Sequence, residues 1–168
     1  MQRRQLFRQL SRVAATLAWQ QLFMSNASAQ VEVMPWTTST NVFSLGVASG
    51  EPRPDSVVLW TRLAPLPSMA DGGMPPRPVS VIWEVAHDEK FFRVARSGST
   101  LALPERAHAL HLDVEGLAPG REYFYRFIAA GHVSPIGRTR TAPDPASRPA
   151  RLKMALASCQ HYEAGHFT

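Results

Sequence analysis

One cysteine, six histidines and thirteen carboxylates are the side chains of this chain that can bind a metal or move a proton. Cys159 is placed best for chemistry. It follows Leu152-Lys153-Met154-Ala155-Leu156-Ala157, a short and nearly continuous apolar run of the kind that forms a strand buried on both faces of a layered α/β sheet. Chemistry in such sheets sits at the carboxyl ends of strands, and a thiolate there can hold a soft or borderline metal. A buried structural cysteine fits the same pattern, and the residues alone leave both readings open. The histidines add little. His108 and His111 would pair on a helix, but on a strand they face opposite sides, so joint metal binding is not expected. His161 and His166 flank the Cys159 loop without being assigned as ligands, and His87 and His132 read as turn residues. Asp71-Gly72-Gly73 lacks the strand and helix of a phosphate loop and reads as a plain loop. No Ser-His-Asp arrangement can be argued, and a single cysteine excludes an intrachain disulfide.

The elements ahead of Cys159 read as strands. Phe43, Leu45 and Val47 alternate with smaller residues, and Ser49 to Asp55 is a turn. Val57, Leu59, Thr61 and Leu63 share one face. After a connector at 65–78 rich in Pro and Gly, Val79, Val81, Trp83 and Val85 share another. Phe91 to Val94 reads as a short edge strand ending near Ser97-Gly98-Ser99. His108, Leu110, Leu112 and Val114 form a further face, Glu122 to Ala129 is dense in aromatics, and His132 to Arg140 is a last, weaker strand. Trp60, Trp83, Tyr123 and Tyr125 read as core and strand-face residues. Short alternating strands at turn-marked intervals, without a helical period, predict an antiparallel sandwich. Leu117-Ala118-Pro119-Gly120 leading into Tyr123 fits a tyrosine corner, whose hydroxyl bonds back to the backbone. The 43–140 region is therefore expected to be immunoglobulin-like or fibronectin III-like.

The flanks differ in character. Residues 1–29 read as an export signal: Arg3 and Arg4 lead, a weakly apolar stretch follows, and Ala27-Ser28-Ala29 offers the small-residue cleavage pattern. The paired arginines suggest the twin-arginine route, with Leu6 where Phe is usual. Residues 30–42 read as a lead-in and 141–150, with three prolines, as a linker. The formal charge of +5 does not indicate nucleic-acid binding. Removing Arg3, Arg4, Arg8 and Arg12 leaves 14 basic against 13 acidic residues, with no basic stripe interleaved with aromatics. No apolar run approaches the ~20 residues of a spanning helix.

Three segments carry a resemblance. Ala157-Ser158-Cys159-Gln160, with Tyr162 and Gly165-His166-Phe167-Thr168, resembles the start of the catalytic domain of PhoD-like alkaline phosphatases. Phe43-Ser44-Leu45-Gly46-Val47-Ala48-Ser49-Gly50-Glu51-Pro52, running into Asp55 to Leu63, is similar to the family's opening, and Gly116 to Arg126 to its penultimate strand. The resemblance implies a mainly β chain: an N-terminal sandwich followed, over 151–168, by the first strand of a truncated α/β metallophosphatase domain. It implies metal-assisted hydrolysis of phosphoesters by the whole enzyme, with iron and calcium as cofactors and Cys159 as an iron ligand. The family's strand-end Gly-Asp-Tyr and later Asn-Asp-His segments are absent, so 168 residues are expected to be an inactive front portion. The ligand pattern at Cys159 disfavours a purple acid phosphatase. Expected partners are a phosphoester substrate and the twin-arginine machinery, and the expected location is the periplasm or the exterior. An exported sandwich that binds without catalysis is the alternative.

Overall fold

The computed structural model describes residues 36–148 and Arg151. Eight strands form: β1 (Val47–Gly50), β2 (Ser56–Arg62), β3 (Val79–Ala86), β4 (Val94–Ala102), β5 (Ala109–Glu115), β6 (Glu122–Ala129), β7 (His132–Val133) and β8 (Gly137–Arg140). One 3-10 turn, Pro104–Arg106, links β4 to β5. All pairings are antiparallel. The smaller sheet has the order β1-β2-β5. The larger runs β4-β3-β6, with β7 and β8 both pairing with β6. This is the immunoglobulin/fibronectin III-like sandwich expected from the alternation of apolar residues.

The core lies between the sheets. Val57, Leu59 and Thr61 of β2 and Leu110 and Val114 of β5 meet Val79, Val81 and Val85 of β3 and Tyr123, Tyr125 and Phe127 of β6. Within each set the residues sit two or four apart along the strand, so one face is buried by construction. Fully burying each such side chain contributes about 1.5–3 kcal/mol. Two aromatic rings need a glycine opposite. Tyr125 lies across Gly137, its partner on β8, where a Cβ would sit 2.1 Å from the ring. Trp83 lies across Gly98, its partner on β4, with a Cβ placed 2.7 Å away.

The structure revises four of the strand readings. Phe43 does not begin a strand. Asn41 Oδ1 accepts the Phe43 N–H at 3.0 Å, and the Gly46 N–H donates to Phe43 O at 3.0 Å, with Gly46 at φ +72°. This turn drops Val42 and Phe43 into the core, and the strand starts at Val47. Ser49 and Gly50 consequently belong to β1 rather than to the following turn. Phe91 to Arg93 belongs to a turn, and the edge strand is the nine residues of β4, which Val94 opens. Its small and polar residues hide it from an apolar pattern, because an edge strand buries little.

The fourth revision concerns the last strand, which is two. Between them, Ser134 Oγ accepts the Phe127 N–H at 2.9 Å, and the Ser134 N–H donates to Phe127 O at 2.9 Å. Pro135 has no N–H to continue the ladder, so β7 takes the end of β6 and β8 its beginning. His132 therefore opens β7 rather than sitting in a turn. Its Nε2 donates to Thr38 O at 2.8 Å, tying the lead-in down.

Candidate functional site

Cys159, Arg3, Arg4, Ala27, Ala29, His161 and His166 lie outside the described residues, as does the expected catalytic-domain strand. The remaining histidines are where strand geometry puts them. His108 is buried at φ +55°, and its Nε2 donates to Arg77 O at 3.0 Å, while His111 is exposed on the opposite face. Asp71 forms a local turn, its Oδ1 accepting the Gly73 N–H at 2.8 Å. Among the described residues no three His, Cys, Asp or Glu side chains gather to hold a metal ion. The iron and calcium implied by the resemblance have no site among the described residues. No helix among the described residues is long and apolar enough to cross a membrane, which says nothing of a β-barrel.

What the sandwich does build is one elaborate end, where β6 begins, β3 and β8 finish, and the chain departs. The Ala118 N–H donates to Tyr123 Oη at 2.8 Å, and Tyr123 is almost wholly buried. This is the tyrosine corner that Leu117-x-Pro-Gly-x-x-Tyr predicts. Thr141 completes it. Its Oγ1 donates to Ala118 O at 2.7 Å and accepts the Arg121 N–H at 3.0 Å. The Ala142 N–H then reaches Arg53 O at 3.0 Å, and the Gly120 N–H reaches Ala142 O at 2.8 Å. Residues 141–142, placed in a linker by their neighbouring prolines, are thus stitched to the β1–β2 and β5–β6 loops. A proline-rich run conceals such docking because composition reports flexibility and not hydrogen bonding.

Beside the corner stands the 87–93 turn. The His87 ring packs on Tyr123, centroids 5.3 Å apart. The His87 N–H closes the turn on Arg93 O at 2.9 Å. Asp88 braces it from within: Oδ1 accepts the Phe92 N–H at 3.1 Å and Oδ2 the Arg93 N–H at 2.9 Å. Partial desolvation pushes the Asp88 carboxyl up, but the N–H groups of Phe92, Arg93 and Lys90, with the Arg93 guanidinium, outweigh it and hold the carboxyl below its ordinary value. Phe91 adopts φ +58°, an outlying conformation for a bulky residue, and lies under the Arg126 guanidinium at 4.1 Å. Arg126 in turn pairs with Glu84 at 2.7 Å. Phe92, at the tip, is 83% exposed. Only an unusually exposed aromatic in a polar stretch could have marked this turn in the sequence, and exposure is not written there. Elsewhere, burial pushes the Tyr125 hydroxyl up, a hydrogen bond from Ser49 partly offsetting it.

Comparison with known proteins places this frame. Alkaline phosphatase D of Bacillus subtilis (strain 168) is 49% identical over 130 residues, which make up 77% of this chain and 22% of that protein. The chain therefore spans about a fifth of that relative's length. A solved structure of PhoD superposes with a TM-score of 0.65 at 49% identity, over 67% of this chain and 22% of the other. A fibronectin type III domain derived from human KIAA0970 protein overlaps at a TM-score of 0.45 and 12% identity, over 68% of this chain and 84% of that one. Residues 26–143 match the family described as the N-terminal domain of PhoD-like phosphatases, and the chain belongs to that family.

Proposed function

We propose that this chain is the N-terminal portion of an exported PhoD-like alkaline phosphatase or phosphodiesterase, in which the sandwich precedes a metal-dependent catalytic domain beginning near residue 151. The observation that carries this reading is the 49% identity to alkaline phosphatase D across most of the chain. The other parts of the reading rest on the sequence patterns. Residues 1–29 serve as a cleaved twin-arginine-type signal, with Arg3 and Arg4 as its pair and Ala27 and Ala29 flanking the cleavage. Cys159 is the first ligand of an iron centre that calcium completes, the other ligands coming from further along the domain. The substrate is a phosphoester, and the enzyme works in the periplasm or outside the cell.

The sandwich contributes no reacting group in this reading. It supplies a self-contained frame: among the described residues every buried side-chain nitrogen or oxygen has a hydrogen-bond partner. Residues 1–168 alone are then inactive, since one thiolate cannot hold a metal cluster. The test has two arms. The exported protein is isolated and its intact mass measured, and it is assayed on a phosphodiester with and without a chelator. The reading expects a mass well above that of residues 30–168, activity that chelation abolishes, and loss of that activity in Cys159→Ser. Turnover by purified 1–168 would overturn the claim that this portion is inactive. A natural mass matching 30–168 would replace the enzyme by a binding module.

A further inference from the structure

Thr141 and Ala142 are fastened to the sandwich by hydrogen bonds rather than by apolar packing. The Thr141 N–H donates to Arg121 O at 3.1 Å, and its hydroxyl serves the Arg121 N–H and Ala118 O. Ala142 uses both its N–H and its carbonyl, on Arg53 and Gly120. Neither residue belongs to the apolar core. Arg53, Ala118 and Arg121 are exposed, so water can replace each bond as it opens. A segment with few buried apolar contacts and solvent-backed hydrogen bonds opens more readily than the core it leans on.

The fastening is confined to these two residues. Pro143 has no N–H to donate. The turn after it closes on itself: Asp144 Oδ1 accepts the Ala146 N–H and Asp144 O the Ser147 N–H, both at 2.8 Å. Among the described residues no hydrogen bond joins 143–148 to the sandwich. Upstream the attachment is of another kind. β8 pairs with β6 as far as Arg140, opposite Glu122, and the Arg140 guanidinium donates to Gly120 O at 3.1 Å. Tyr123, whose hydroxyl holds Ala118, is itself part of the core. Two hydrogen-bonded residues thus stand between a paired strand and a turn bonded only to itself.

We propose that Thr141 and Ala142 form a latch that opens on its own while both sheets stay folded, giving the chain two ways of leaving the sandwich. Closed, the latch brings the chain out at Ala142, bonded to the β1–β2 and β5–β6 loops and set in direction. Open, it lets the chain leave from Arg140, with a reach longer by about 7 Å and no set direction. Opening stops there, because Arg140 is held by the β6 ladder and by its own side chain on Gly120. Such a latch operates whether or not a catalytic unit follows.

Native-state amide exchange on the full-length gene product, read residue by residue, tests this. In the wild type the Gly120, Arg121, Thr141 and Ala142 amides exchange together, at least about tenfold faster than the central amides of β3, and low urea speeds only the β3 amides. Two variants separate a latch from a tail that comes loose only when the whole domain unfolds. Val114→Ala weakens the core equally in the latched and unlatched forms. It therefore speeds the β3 amides at least about tenfold and leaves the latch amides at their wild-type rates. Thr141→Val weakens the latched form alone, so it speeds the latch amides at least about fivefold, while Thr141→Ser, which keeps the hydroxyl, stays within about twofold of wild type. Latch amides that Val114→Ala speeds as much as it speeds β3, or that Thr141→Val leaves unchanged, overturn the proposal. If Thr141→Val does not fold, the wild type decides alone: latch amides that quicken with urea in step with β3 show that the exit opens only with the domain, and the latch is refuted.

Discussion

The two sheets present the same kind of surface to each other and different kinds to the outside. Inward, both offer rows of Val, Leu, Thr and aromatic side chains packed to near-complete burial. Outward, the three-stranded sheet places Trp60 between Ala48 and His111, and Val58 between Gly50 and Asp113, with Arg53 paired to Asp113 at 3.8 Å. The five-stranded sheet instead aligns Ile82, Ile128 and Val133 in one row, with Leu101 nearby and Val94 and Phe92 towards the exit end. Five of these six are among the exposed large apolar residues. Inner faces are dictated by folding and so resemble one another. Outer faces are free to differ, and the difference marks where a protein has business with something else.

That contrast can be broken at several levels. If the inner faces are equivalent, truncating either should unfold the domain alike: Leu59→Ala is expected to cost about 2–5 kcal/mol and Phe127→Ala about 3–5 kcal/mol in urea denaturation. A cost under about 1 kcal/mol for one of them would show that its sheet folds around the other. Next in size, Gly137→Ala should cost about 2–3 kcal/mol, because the added methyl meets the Tyr125 ring on a core face. The matching Gly98→Ala on the open β4 edge should cost less, and equal costs would refute the distinction between core and edge.

At the exit end, Tyr123→Phe should cost about 1–3 kcal/mol by orphaning the Ala118 N–H. Thr141→Val removes the other support of the same residue, the donor to Ala118 O, so the double variant should cost less than the sum of the two. Strict additivity would mean that the corner and the exit are separate structures. On the outer faces, Ile82→Thr and Trp60→Thr should each shift stability by about 0.5–1 kcal/mol at most, while only the first alters self-association or surface-probe binding. The smallest effect is electrostatic. The Asp88 carboxyl is held below its ordinary value of 3.8, so its contribution is fully present above that value and is lost as pH falls through the lower folded one. Asp88→Asn should flatten stability against pH in that acidic range and speed amide exchange at Phe92 and Arg93. Unchanged exchange would remove Asp88 as the brace.

The residues that bury a regular face were readable before any coordinates. Val57-Leu59-Thr61, Val79-Val81-Trp83-Val85 and Tyr123-Tyr125-Phe127 each repeat at two, and the tyrosine corner followed from Pro119-Gly120 and Tyr123 because its turn chemistry is local. The features that escaped were set by partners distant in sequence. β4 carries Arg, Ser, Gly and Thr because an edge strand needs little apolar content, and Gly98 reads as a turn unless Trp83 is known to lie across it. Thr141 reads as linker until Ala118 and Arg121 are brought to it. The candidate chemistry at Cys159 was legible only as a short pattern at the end of an apolar run, and Cys159 lies outside the described residues. The Phe92 turn was not legible, because its distinguishing feature is the absence of neighbours.

Ser134 has a consequence for how this protein lives in company. A sheet edge with a long run of idle backbone groups is a template on which another chain can crystallise its own strand, the first step towards fibrous aggregates. At the β6 margin, the serine hydroxyl occupies the Phe127 N–H, and Pro135 breaks the ladder just beyond it. A foreign chain finds there two stubs, of two and four residues, out of line with one another. The wedge that divides one strand into two therefore acts as a guard against contagion, and restoring a continuous strand by replacing Ser134 and Pro135 with valines would lengthen the template along with the sheet.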